Sequence, residues 1–238
     1  MGRLEHLKYT LPENIAAAKG QPVEFVLLNY SSPDSCDGWV RQTLRDEIAH
    51  GVLNYYRYDE AVYFHHAHAK NLAHRLARGT ILCNVDADNY IGRGFAEYLL
   101  RAFATQSDVF LRGLDTPTGE VFGRLAFAKA DFCELGGYDE HFNFGWGHED
   151  GDIIDRAKAI GLKEIYIEEP TFLRYIWHDD NERVRHTLLK NKWESQVKHL
   201  QASTDSIARG NIIANSGLSW GAGKVVKNFT TEVVSPLI

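Results

Sequence analysis

The sequence predicts an α/β fold, a mixed and mostly parallel central sheet flanked by helices, with a helical C-terminal extension. Three observations carry that prediction. Short apolar runs alternate with amphipathic stretches from Val23 to Val85. The joints between them are short and marked by Gly or Pro, so the order β-α-β-α-β predicts right-handed parallel units. Polar residues gather where those apolar runs stop, at Asn29–Ser32, Asp59-Glu60 and Asp86–Asp88. Ligands of parallel sheets bind beyond the C-terminal strand ends.

The chain has 238 residues, enough for one large domain or one domain with an appendage. A composition 44% hydrophobic and 12% aromatic supports a sizeable core. We expect one domain over residues 1–182, with a short N-terminal preamble, and a basic helical extension over 183–238.

Taken in order, a short helix is expected around Glu13–Lys19, closed by Gln21-Pro22. Val23–Tyr30 reads as a buried first strand. Ser31-Ser32-Pro33-Asp34 has helix-start chemistry, and a helix from Trp39 to His50 ends at Gly51. Val52–Tyr58 is the second strand, Phe64–Ala77 a histidine-rich helix, and 80–85 the central strand. Then follow a helix over Gly94–Thr105, a strand over Val109–Arg112, a loop over Asp115–Gly119 and a strand over Val121–Phe127. A short helix over Lys129–Leu135 leads into the turn Gly136–Glu140. Ile153–Ile160 reads as a helix, Lys163–Glu168 as a strand, and Glu182–Leu200 as a helix rich in Lys and Arg. The tail beyond Ser203 is weakly patterned.

Three stretches carry chemistry. In Ile81–Asn89 an apolar run ends in Asp86 and Asp88, which share one face of a strand. Two carboxylates so placed repel unless a cation joins them, and hard oxygen ligands suit Mg²⁺ or Mn²⁺. An Asx-rich turn would use the same residues. In Phe144–Asp152, Trp146 lies between glycines and is followed by Glu149, Asp150 and Asp152. The glycines suit a backbone shaped to present the indole to a sugar ring. The acids also suit a plain helix N-terminus. In Arg174–Asp180, His178 beside two aspartates would supply a nitrogen ligand to the same cation.

Charge and cysteines bound the class. The net charge of −6 gives no reason to expect a nucleic-acid partner. Arg183–Asn228, however, holds eight Lys/Arg against two acids. That segment suits a solvated helical face, a phosphate-bearing substrate or an anionic membrane. Cys36, Cys83 and Cys133 are odd in number and widely spaced, as expected of reduced thiols in a cytoplasmic protein. Met1–His6 lacks the apolar core of a signal peptide, and no apolar run is long enough to span a bilayer.

Four segments resemble the GT-A glycosyltransferases, and among them the β-1,4-galactosyltransferases and related bacterial family 2 enzymes. They are Leu28–Ser31, His68–Asn71 before Val85–Asn89, Gly123–Asp152 with its Gly-Trp-Gly-His-Glu-Asp-Gly-Asp end, and His178. The resemblance covers about residues 23–183. It implies that Asp88 and His178 bind Mn²⁺ or Mg²⁺ and that Asp150 is the general base. It implies that Trp146, Glu149 and Asp152 serve the acceptor. It implies donor contacts from Asn29, Tyr30, Ser31, one of Asp59 or Glu60, Lys70, Asp86 and Asp88. His68 stands where an Arg is common, and His148 where a Gly is frequent.

The expected function is an inverting, metal-dependent transfer of a hexose from a UDP-sugar to a hydroxyl of a carbohydrate or glycolipid acceptor. The hexose is of galactose, N-acetylgalactosamine or glucose type. The setting would be cytoplasmic polysaccharide biosynthesis, with peripheral contact at the inner membrane through the basic segment. A sugar nucleotidyltransferase would want a Gly-rich basic loop at Asn29–Asp34, which is not there. A non-catalytic carbohydrate-binding module would not need acids at both Asp88 and Asp150.

Overall fold

A computed structural model describes residues 1–114, 121–143 and 145–235. The expected loop at Asp115–Gly119 therefore lies outside the described residues, and so does Phe144. The α/β class holds. The first sheet has the order β1-β2-β7-β8, from Phe25–Tyr30, Leu53–Tyr58, Gly223–Lys227 and Thr231–Ser235. The second has the order β3-β5-β4-β6, from Ile81–Cys83, Leu125–Ala128, Val109–Gly113 and Lys163–Ile167.

Parallel pairing is confined, among the described strands, to β1 with β2 and β4 with β6. The sequence order predicts that β3 continues the parallel run, but β3 pairs antiparallel with β5 in the second sheet. A three-residue apolar strand encodes its buried face and not its partner. The strand expected over Val121–Phe127 is shorter and later, since Val121–Gly123 form a turn.

Helices cover both sheets. Cys36–Thr43 (α2) and Arg45–Ala49 (α3) replace the single helix expected there, because Leu44, buried at 2% exposure, leaves helical geometry between them. His66–Leu76 (α4) packs Ala69, Leu72 and Leu76 against Tyr30, Tyr56 and Val225 of the first sheet. Phe95–Thr105 (α5) packs Phe95 and Leu99 on Leu111 and Ala126 of the second. Lys129–Glu134 (α6) and Glu149–Ala159 (α7) close the other side around Phe110, Phe127, Phe132 and Tyr138. Each such buried aromatic contributes roughly 1.5–3 kcal/mol from area alone.

The N-terminal preamble is more than a preamble. Leu4–Ala17 form one helix, α1, although Pro12 lies inside it. Proline removes an intrahelical bond and normally ends a helix. Here tertiary bonds hold it. The Leu4 amide donates to Asp34, Thr10 Oγ1 donates to the Ala87 carbonyl, and Asn14 Nδ2 donates to the Asn89 carbonyl. Asn14 Oδ1 in turn accepts from the Ile91 amide. The helix thereby clamps the loop that carries Asp88.

The basic segment also departs from a single helix. Asp180–Val184 (α8) stops, and Lys192–Ala208 (α9) begins afresh. The Lys190 ammonium donates to the carbonyls of Val184, Arg185 and Thr187, satisfying the end of α8. Asn191 caps α9 by accepting from the Glu194 amide. Beyond Ser203 the weakly patterned tail continues as helix to Ala208 and then forms the hairpin β7–β8, so the extension is not all helical. Tyr56 and Arg57 of β2 pair with Lys227 and Val226 of β7.

Asn14→Ala should expose the importance of the clamp. Loss of two buried hydrogen bonds should cost about 2 kcal/mol. The melting temperature should fall by about 4–8 °C, read by circular dichroism; an unchanged value contradicts the clamp.

Candidate active site

A cleft of about 1060 Å³ runs between β1 and β3 and opens at their C-terminal ends. Its polar wall combines Asp86, Asp88, Lys70, Trp146, Glu149, Asp150 and His178. The short β3 delivers the first acids. Asn84 Nδ2 donates to Asp86 Oδ1 at 3.1 Å and to the Gly123 carbonyl at 2.8 Å, which fixes the Asp86 side chain.

Asp88 is buried, and its Oδ2 lies 2.6 Å from His178 Nε2. Asn89 Nδ2 donates to the other oxygen at 2.7 Å. Burial opposes the Asp88 charge, but the His178 hydrogen bond and the nearby His178 and Arg3 charges hold its carboxyl below the usual range. The structure thus brings Asp88 and His178, 90 residues apart in sequence, into direct contact. A bridge of Asn89 with Tyr175 carries the His178 segment beside the Asp88 loop.

The second centre is a cation between two acids. Lys70 Nζ lies 2.6 Å from Asp150 Oδ1 and 3.0 Å from Glu149 Oε1. α4 presents Lys70, and the first turn of α7 presents both acids. α7 begins at Glu149, four residues before the expected start, so the acids belong to the helix. Burial opposes the Lys70 charge, but Asp150 and Glu149 raise its pKa well above the ordinary value. Burial also opposes the Glu149 charge, yet Lys70, His66 and a backbone bond bring that carboxyl to about 2.

One ammonium cannot neutralise two carboxylates, and the surplus charge falls on Asp150. Burial, with Glu149 and Asp86 beside it, pushes Asp150 up to about 7 against the pull of Lys70. The helix N-terminus by itself predicts an acid ionised far below neutrality. The structure places it near the pH at which a general base is best matched. Gly123 makes the approach to Asp86 possible: a Cβ there would lie 2.8 Å from Asp150 Oδ2 and 3.1 Å from Asp86 Oδ2.

Trp146 lines the cleft, but its ring is not a bare platform. Lys192 Nζ lies 4.5 Å and Arg183 Cζ 5.7 Å from the ring centroid. The flanking glycines act through packing on α9: Gly145 lies where a Cβ would collide with Ser195, and Gly147 holds φ +96°. Ser195 Oγ both accepts from the Trp146 amide and donates to its carbonyl.

Other expected site residues are placed elsewhere. Asp152 is fully buried, binds Arg156 Nε at 2.8 Å and accepts from Ser203 Oγ at 2.6 Å, so it docks α9 on α7 and does not line the cleft. Lys70, expected at the diphosphate, is engaged by Glu149 and Asp150. Ser31 Oγ donates to the Tyr58 carbonyl and accepts from the Ala61 amide, joining two loops away from the cleft lining. Asp59 and Glu60 are exposed outside the lining, and Asp59 binds Arg57. Asn29 and Tyr30 do border the cleft, but Asn29 holds Tyr55 and the Ser32 amide, and Tyr30 holds His68. His68 is bonded at both ring nitrogens, the second to the Ala222 carbonyl, and so braces the sheet.

Sequence reasoning missed Gly123 as the contact point of the two acids. It also missed Arg124, which is buried, donates to Asn89 Oδ1 and faces the charges of Asp86 and Asp88. A lone arginine in an apolar strand was the available signal. Asp152→Ala should cost about 1–3 kcal/mol, since Arg156 Nε and Ser203 Oγ lose a buried acceptor while Arg156 keeps Asp139 and the Asn211 and Ile212 carbonyls. Calorimetry should show that loss while the acceptor KM stays unchanged; the reverse pattern would return Asp152 to the acceptor site.

The family model described as the N-terminal domain of galactosyltransferase matches residues 113–186. That segment includes Asp150 and His178. No curated protein matches the chain by sequence. Among solved structures, S. aureus TarS 1–349 has a TM-score of 0.55 at 12% identity, over 76% of this chain and 58% of that one. The chain thus spans less than two thirds of that relative. A substituted Drosophila β-1,4-galactosyltransferase 7, solved with manganese, UDP-Gal and xylobiose, has a TM-score of 0.45 at 18% identity, covering 68% and 74%. Its catalytic domain with xylobiose gives 0.48 at 16%, covering 76% and 80%. The chain thus shares the fold of TarS 1–349, and its residues 113–186 match the galactosyltransferase domain model.

Proposed function

We propose that the chain transfers a hexose of galactose, N-acetylgalactosamine or glucose type from a UDP-sugar to a carbohydrate hydroxyl, with inversion. The observation that carries this reading is the convergence of Asp88–His178 and Asp86–Asp150–Lys70–Glu149 in one cleft. The matched galactosyltransferase segment supports it.

The donor set suits a divalent cation. Asp88 Oδ2 and His178 Nε2 converge at 2.6 Å, an oxygen and a nitrogen of the kind Mn²⁺ accepts. Among the described residues no cluster of three or more His, Cys, Asp or Glu forms a cage. Two protein ligands, completed by phosphate oxygens and water, fit such an ion. When bound, the ion would neutralise the leaving diphosphate.

The protein's own residues do the rest. Lys70 fixes the Asp150 carboxylate in the cleft. The acceptor oxygen attacks the anomeric carbon as its proton passes to Asp150 and the bond to the diphosphate breaks. Water is limited around Asp150 by its burial, so the proton transfer occurs between positioned groups.

Two variants test the parts separately. Asp88→Ala should abolish Mn²⁺-dependent UDP binding, followed calorimetrically, with the fold intact; undiminished affinity would sink the metal assignment. Asp150→Asn should still bind UDP and Mn²⁺, while kcat for transfer falls by about 10²–10⁴. Transfer at the wild-type rate would remove Asp150 as the base.

A cytoplasmic site at the inner membrane surface is proposed on two observations. Cys36, Cys83 and Cys133 are all unpaired, as in a reducing compartment. α9 turns Ser195, His199 and Ser203 inward and leaves Trp193 68%, Val197 62% and Leu200 48% exposed. Arg185, in the same basic segment, is exposed and carries a charge of the sign an anionic lipid surface attracts. No described helix is long and apolar enough to cross a membrane. The chain should sediment with phosphatidylglycerol vesicles, and the combined Trp193→Ala, Val197→Ser and Leu200→Ser changes should abolish that. A wild-type chain that stays in the supernatant contradicts the proposal.

A further inference from the structure

At the cleft, two buried ring nitrogens have no hydrogen-bond partner among the described residues. They are His66 Nδ1, in the first turn of α4, and His148 Nε2, just before α7. Three neighbouring histidines differ. His65, His68 and His74 all bond backbone groups through their rings. A buried polar atom without a partner is costly, so a pair of them at one cleft asks for a ligand.

His148 adds a second observation. Its φ is +72°, a left-handed conformation that favours glycine. Such backbone strain in a non-glycine residue concentrates at functional sites. Its ring is accommodated because residue 151 is glycine; a Cβ there would lie 2.9 Å from His148 Cε1 and Nδ1. The Glu149 charge acts on both the His66 and the His148 ring, which places both near the acids.

We propose that His66 and His148 form the hydroxyl-reading part of the acceptor subsite and select an uncharged sugar ring. The inference rests on the glycosyltransferase reading. Burial lowers the proton affinity of both rings, that of His66 to about 4, so both are neutral at neutral pH. A neutral imidazole nitrogen either donates or accepts, and so does a hydroxyl. A carboxylate or phosphate only accepts, and here it would meet ionised Glu149. The adjacent cation, Lys70, is already shared by two acids.

The test is acceptor-dependent UDP release with Mn²⁺ and saturating UDP-galactose, UDP-glucose or UDP-N-acetylgalactosamine. Glucose and N-acetylglucosamine are compared with glucuronate and glucose 6-phosphate. The neutral rings should exceed the charged ones in kcat/KM by about tenfold or more. His66→Phe and His148→Gly should each raise the KM of the neutral acceptor about tenfold, with less than about threefold change in kcat. His148→Asn, which tolerates the left-handed backbone and keeps a polar group, should recover most of that loss. Preference for the charged rings, or a KM insensitive to both histidine changes, overturns the inference while leaving the transferase reading intact. Absence of UDP release from every donor, with or without acceptor, overturns both. Should a variant fail to fold, the comparison of neutral and charged rings on the wild-type chain decides by itself.

Discussion

The site depends on one ammonium held between two carboxylates. Lys70 stands on one helix, Glu149 and Asp150 on another, and their contacts draw the helix-rich side of the first sheet towards the second. Removing water from three charges is costly, and only mutual contact offsets it. The arrangement leaves a residual negative charge, which appears as the raised Asp150 pKa. Asp86, brought close across Gly123, adds to the effect. A plain helix cap would have no need of this crowding.

Around that centre the fold is arranged to hold two loops still. α1 clamps the Asp88 loop through Thr10 and Asn14. α9 holds the Trp146 loop by turning polar groups inward: Ser195 binds Trp146, His199 Nδ1 binds the Gly147 carbonyl, and Ser203 binds Asp152. A helix that spends its polar face on a neighbouring loop leaves its apolar residues outside. That one choice links the geometry of the acidic loop to the exposed Trp193 stripe.

What was legible in the sequence was local chemistry at strand ends. Asp88 and His178 are of ligand type and follow strand-like runs, and the structure brings them together. The Gly-Trp-Gly-His-Glu-Asp segment marks the second centre. Spacing alone could not separate Asp150 from Asp152: both lie in the first turn of α7, but two residues rotate a side chain to the opposite side of a helix. Ser31, Asp59 and Glu60 stand at strand ends as expected, yet backbone and side-chain bonds draw them away from the cleft. Strand partners were illegible because β3 and the β7–β8 hairpin pair with residues far away in sequence. The length of α1 was hidden by Pro12, whose local penalty is overcome by contacts that only the folded chain supplies.

The pH dependence of kcat/KM for the acceptor, at saturating donor and Mn²⁺, tests the role of Asp150 most directly. A base whose pKa is raised to about 7 is protonated below that pH and ionised above it. The rate should therefore rise with pH, about tenfold per unit on the acid side, and level off above about 7. The limb belongs to the Lys70–Glu149–Asp150 group as a whole. It should vanish in Asp150→Asn. A wild-type profile flat from about pH 5 to 8, or a limb that survives in Asp150→Asn, contradicts Asp150 as the proton acceptor.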